Sequence, residues 1–161
     1  MPKLRDRREG VTRVPAEPTR ARPVLLATMS VRVDPSAERM ALDSALEAGV
    51  PLVLVNLLPL RPYPTTFALL GAEGMTLPHE EDLEAVRGTA DRAATLGVKT
   101  ELLRVTSRRP VKALLEVARE RDAGLLVFGP HLGLTSRLRF RSAARRVRRE
   151  ADCLVWIAPD G

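Results

Sequence analysis

The chain has 161 residues, 45% of them hydrophobic, and a net charge of +6 at neutral pH, which suits one domain with a sizeable core and argues against two. A single cysteine, Cys153, excludes an internal disulfide, and no apolar stretch approaches the roughly 20 residues of a bilayer span. The charge is local, +4 in residues 1–23 and +6 in residues 135–150, which leaves the rest of the chain at −4 and excludes a uniformly basic surface.

Residues 1–22 are rich in charge and proline and show no sustained hydrophobic period, so they read as a basic extended or disordered tail ahead of an α/β domain over 23–161. The N-terminus is basic but lacks the apolar run of a secretory leader, and the expected location is cytoplasmic, without membrane insertion. Val24 to Ala27 is a short apolar run placed to be the first strand. Asp34-Pro35 then supplies an N-cap followed by proline at the first helical position, and the helix it opens runs to about Ala48, where Gly49 stops it. Met40, Ala41, Ser44, Ala45 and Ala48 form its expected small-residue face. Pro51 to Leu58 is a second buried strand.

From Pro59 to Leu77 the pattern gives way to three prolines, two glycines, Tyr63 and Phe67, the composition of a lid, a partner surface or a disordered excursion. A helix over about Pro78 to Leu96 follows, with Leu83, Val86, Ala90, Ala93 and Ala94 expected inward. Val98 to Val105 alternates enough to be a strand near a sheet edge. Pro110 opens a third helix that turns Val111, Leu114, Leu115 and Ala118 inward. Leu125 to Phe128, a helix over about Ser142 to Ala151 and Leu154 to Ile157 complete the chain. Cys153, at the start of the last apolar run, reads as a small packed hydrophobe.

Short continuous apolar strands alternating with helices predict a doubly wound α/β fold, Rossmann-like, with one five-stranded parallel sheet in the order 3-2-1-4-5 and helices on both faces. Ligands of such sheets sit where the strand order reverses, outside the carboxyl ends of strands one and four. Thr28, Met29 and Ser30 would line that crevice on one side, and the segment Gly129, Pro130, His131, Leu132, Gly133 on the other.

These residues in this order resemble the universal stress protein family from Arg22 onward. Members that bind ATP carry a G-x2-G-x9-G-[ST] segment after strand four and a motif similar to A-P-C-P-V before the last strand. Gly129 matches the first glycine, Ser142 the final hydroxyl, and Ala151-Asp152-Cys153-Leu154-Val155 the approach to the last strand. The departures are specific. Leu132 stands at the second glycine with Gly133 one residue later, Arg141 replaces the third glycine, and Met29 occupies the place of an aspartate that relatives set near the base and ribose. Glycine admits phosphate oxygens to backbone N–H groups, whereas Arg141 puts a side chain there, although its guanidinium fork can itself bind phosphate.

The resemblance implies a stress-response or regulatory binding protein, with ATP as the ligand to test and no cofactor that the residues make obligatory. It also implies a homodimer through the C-terminal strand, Cys153, Leu154, Val155, Trp156 and Ile157; an apolar edge strand tends to pair with another chain. Two functional readings stay open. One is a protein-interaction module, its partner unnamed by the sequence, with a weakened or lost nucleotide site. The other is a nucleotide-binding signalling protein that uses Gly129, His131, Gly133, Arg141 and Ser142.

Seven arginines between Arg137 and Arg149 invite a third reading, nucleic acid. The segment has a single aromatic residue, Phe140, and no familiar docking motif, so a solvated helix face with Phe140, Ala144, Val147 and Ala151 inward is the favoured account. Phosphate binding where that helix begins is the other. His131 either donates to a ligand phosphate or faces solvent. His79 beside Glu80, Glu81 and Asp82 reads as acidic residues complementing a helix dipole rather than a metal site. No motif assigns catalytic residues, and an enzyme is not expected.

Overall fold

A computed structural model describes residues 21–60, 80–133, 135 and 137–158. Residues 1–20 of the tail read over 1–22 and residues 61–77 of the loop read over Pro59 to Leu77 lie outside the described residues, as does His79. The elements run β1 (Val24–Thr28), α1 (Pro35–Ala48), β2 (Leu52–Pro59), α2 (Glu80–Thr95), β3 (Thr100–Ser107), α3 (Pro110–Glu120), β4 (Leu125–Phe128), α4 (Arg137–Glu150) and β5 (Leu154–Ile157). All strands are parallel, in the order β3-β2-β1-β4-β5. The order therefore reverses between β1 and β4, as the pattern of the sequence requires.

Alternation along the strands divides the core into two layers. Leu25, Ala27, Val53, Val55, Leu126 and Phe128 pack beneath α3 and α4. Val24, Leu26, Leu52, Leu54 and Val127 pack beneath α1 and α2. β1 is buried along its whole length, and β3, at one edge, alternates buried-side and exposed residues. Cys153 lies just before β5, half-buried against the α3/α4 layer, where burial pushes its thiol pKa up. Among the described residues no helix is long and apolar enough to cross a membrane.

α1 begins as its sequence demands, with the Asp34 carboxylate accepting from the Ser36 N–H at 2.9 Å and Pro35 in the first turn. It ends at Gly49, whose φ of 62° is the left-handed cap conformation. The faces of α1 and α2 differ from expectation. α1 buries Ala37, Ala41, Leu42 and Ala45 while Ala48 is exposed. α2 buries Asp82, Val86, Thr89 and Ala93, leaving Ala94 exposed and Leu83 and Ala90 half-buried. Two polar residues displace apolar ones because each finds a partner. Asp82 accepts from the Arg32 backbone N–H and from its Nε, both at 3.3 Å, and the Thr89 hydroxyl donates to Glu38 at 3.0 Å. A buried polar group with its hydrogen bonds made costs little.

α4 is the larger correction. It starts at Arg137, not Ser142, so the Gly129–Ser142 segment is not one loop and Arg141 and Ser142 fall in the helix's second turn. Phe140 gives the reason: its ring stacks on Phe128 with centroids 5.8 Å apart, which draws the preceding turn into the helix.

Candidate functional site

The carboxyl ends of β1 and β4 meet where the sheet order reverses. Leaving β1, Thr28 is buried and its hydroxyl donates to the Val31 carbonyl at 2.6 Å. Ser30 holds a φ of 57°, a left-handed conformation rare for a residue with a side chain. Two bonds keep it there: its N–H donates to the Asn56 side-chain oxygen at 3.2 Å, and its hydroxyl donates to the Leu57 carbonyl at 2.9 Å. Met29 is half-buried and packs against the α3/α4 layer.

The loop leaving β4 is stitched to the loop leaving β1. Val33 and Pro130 form an antiparallel bridge, the Asp34 N–H donates to the Gly129 carbonyl at 2.9 Å, and the His131 N–H donates to the Arg32 carbonyl at 3.0 Å. The Gly129 N–H is engaged as well, with the Ala27 carbonyl at 3.0 Å. Pro130 has none to offer. Over Gly129–His131, therefore, no backbone donor is left to cradle a phosphate.

Gly129 is glycine for another reason. A Cβ there would lie 2.2 Å from the Cβ of Ala37 and 3.3 Å from that of Ala158, so the missing side chain is what lets the β4 loop pass between α1 and the segment after β5. At Gly133 a Cβ would meet only the His131 ring, at 3.0 Å from Cε1. The His131 Nδ1 is buried and without a partner among the described residues.

Of the residues predicted from sequence, Thr28, Met29, Ser30, Gly129, His131 and Gly133 gather around this junction. Arg141 and Ser142 lie exposed in the second turn of α4, and Arg141 lines a groove together with Leu132 of the β4 loop. Sequence reasoning missed Asn56, Arg32 and Asp82, which hold the β1 loop. Asn56, the chain's sole asparagine, interrupts an apolar strand run and is 1% exposed, the one signal that could have found it.

This order of strands, with glycine loops at the reversal, also matches known proteins. The model of the universal stress protein family covers residues 21–159. The chain belongs to that family. A universal stress family protein from Burkholderia pseudomallei is 25% identical, with 86% of this chain and 96% of that one covered and a TM-score of 0.62. A universal stress protein from Archaeoglobus fulgidus in complex with dAMP is 24% identical over 84% and 96% of the two chains, TM-score 0.54. A family protein from Arabidopsis thaliana with AMP bound is 15% identical over 84% and 90%, TM-score 0.51. A search of curated protein sequences gave no significant match.

Proposed function

We propose that this universal stress family chain is a cytoplasmic, homodimeric regulatory binding protein whose nucleotide site is weakened or lost, acting through partners rather than through catalysis. One observation carries the reading: the crevice donors of Thr28, Ser30, Gly129 and His131 are already engaged. The N–H groups of Ser30, Gly129 and His131 and the hydroxyls of Thr28 and Ser30 all bond within the protein. A nucleotide would have to break these bonds or do without them, and it would find Met29 where a carboxylate could bind ribose. Charge-assisted bonds to phosphate are the strong contacts of such sites, so their absence removes the main source of affinity.

The alternative, nucleotide-binding signalling, is supported by the relatives in complex with dAMP and AMP. Its phosphate contacts would come from Arg141 and from the backbone beyond His131.

Thermal unfolding of the full chain with and without millimolar Mg-ATP or AMP, with native mass spectrometry for retained nucleotide, decides between them. Ligand at a hundred times its dissociation constant stabilises the folded state by about 2.7 kcal/mol. No shift and no retained nucleotide is the expected result. A clear upward shift, reduced in Arg141→Gln, would overturn it in favour of the alternative.

A further inference from the structure

The outer face of α4 departs from what a solvated helix needs. From Ala123 to Arg149 the sequence holds seven arginines and no acidic residue. α2 opens with Glu80, Glu81 and Asp82, the acidic first turn that complements a helix dipole, whereas the first turns of α4 carry Arg137, Arg139 and Arg141 and set cations at the dipole's positive end. Arg137/Arg141 and Arg141/Arg145 are also like-charge pairs four residues apart, which weaken a helix. Glu150 pairs with Arg146 and Arg149. Arg137, Arg141, Arg145 and Arg148 have no acidic partner among the described residues and form a cationic rim along the helix.

On the same face stands Leu138, 79% exposed and the most exposed large apolar side chain among the described residues. Leu138, Arg141, Arg145 and Arg149 follow one another at intervals of three or four residues, so they share one stripe, about 17 Å long. The opposite face of the helix, with Phe140, Ala143, Ala144 and Val147, packs on the core. A lone exposed leucine is ordinary on a protein surface. One aligned with unpaired arginines has a different meaning, because the core does not use it and a dissolved anion gains nothing from it.

We infer that this face docks an acidic, amphipathic helical segment of a partner protein, whose apolar stripe covers Leu138 and whose Asp and Glu side chains pair with Arg141, Arg145 and Arg148. The inference rests on the reading of the chain as a protein that acts through partners, and it gives the partner its chemistry. Carboxylates brought by the partner supply what α4 lacks: they relieve the repulsion among the arginines and complement the helix dipole. Guanidinium forks match carboxylates, arginine is enriched at protein interfaces, and an amphipathic helix presents its anchors at the same spacing of three and four residues. A single-stranded nucleic acid fits less well, because Phe140, the one aromatic residue of α4, is 5% exposed and offers no ring face for bases to stack on, and Leu138 has none.

Selection of a random-peptide library on the full chain, followed by fluorescence anisotropy of the most enriched peptide at constant ionic strength, tests it. The expected peptides carry Asp or Glu at helical spacing beside an apolar stripe, and the most enriched one binds saturably to the wild type and about tenfold more weakly to each of Arg145→Gln and Leu138→Gln. Both side chains are exposed, so the fold is retained. Arg104→Gln, on β3 at the far sheet edge, leaves binding unchanged. No enrichment, or enrichment of peptides without acidic residues, overturns the proposal. Binding that Leu138→Gln leaves intact, or that Arg104→Gln weakens equally, overturns it as diffuse electrostatics. A single-stranded oligonucleotide that binds more tightly than the peptide and displaces it overturns it in favour of a nucleic acid. Stabilisation by Mg-ATP together with intact peptide binding would overturn the crevice reading alone, since Leu138 and Arg145 take no part in that crevice.

Discussion

Gly129 has a packing reason to be glycine beside its place in the motif. Its place after β4 marks it as special in the sequence, and the motif suggests that it clears a path for phosphate. The structure assigns that clearance to Ala37, because the 2.2 Å approach of a would-be Cβ is to a helix of the same chain. Gly129→Ala is therefore expected to lower stability by about 1–3 kcal/mol through overpacking whether or not nucleotide is present. A denaturant melt with and without Mg-ATP checks it, and a loss seen only in the presence of ligand would contradict the packing account. That Met29 stands in place of a carboxylate is what the family resemblance implies, and the structure packs Met29 half-buried against the α3/α4 layer. The engaged N–H groups were not legible in the sequence, since backbone pairing between two loops far apart in sequence leaves no mark in residue type except at Pro130.

Strand elements were legible almost to the residue because buried parallel strands are short apolar runs bounded by turn residues. Helix faces were less so. A hydrophobicity pattern assumes that polar residues face water, and α2 breaks that rule where Asp82 and Thr89 find partners on the β1 loop and α1. The same contact region holds the ion pair between α1 and α2. Arg92 grips Glu38 with Nε at 2.7 Å and a second nitrogen at 2.9 Å, and Thr89 adds a third bond. The Arg92 hydrogen bonds, more than the burial that opposes them, hold the Glu38 carboxyl below its ordinary pKa. A depressed carboxyl contributes stability that is present above its unfolded value and is lost as pH falls through the folded value. Glu38→Gln is thus expected to cost about 1 kcal/mol at pH 7, the exposed Arg92 being partly screened by solvent. The gap between wild type and variant closes as pH drops below the ordinary glutamate range. Urea melts from pH 7 to pH 3 measure this, and a gap that stays constant across that range would show that the ion pair is not its source.

At the scale of the molecule, the order β3-β2-β1-β4-β5 leaves two edges that solve the edge problem differently. β3 exposes Glu101 and Arg104, charged residues that discourage pairing with another sheet. β5 has no charge along its length and leaves Leu154 74% exposed, with Val155 and Trp156 half-buried. An uncharged apolar edge on a chain of net charge +6 is where a second copy gains most, since backbone pairing and side-chain burial act together and the cationic α4 rim disfavours closer approach elsewhere. Two-fold pairing of β5 with β5 brings Leu154 and Trp156 of one protomer against the same strand of its partner. Leu154→Lys places a charge in that contact at no cost to the isolated fold, because the side chain is exposed there. The expected outcome is a dimer for the wild type and a monomer for the variant in sedimentation velocity at micromolar concentration, with far-ultraviolet circular dichroism unchanged. Arg104→Leu on β3 should leave the dimer as it was. A variant at Leu154 that sediments as a dimer would move the interface off β5.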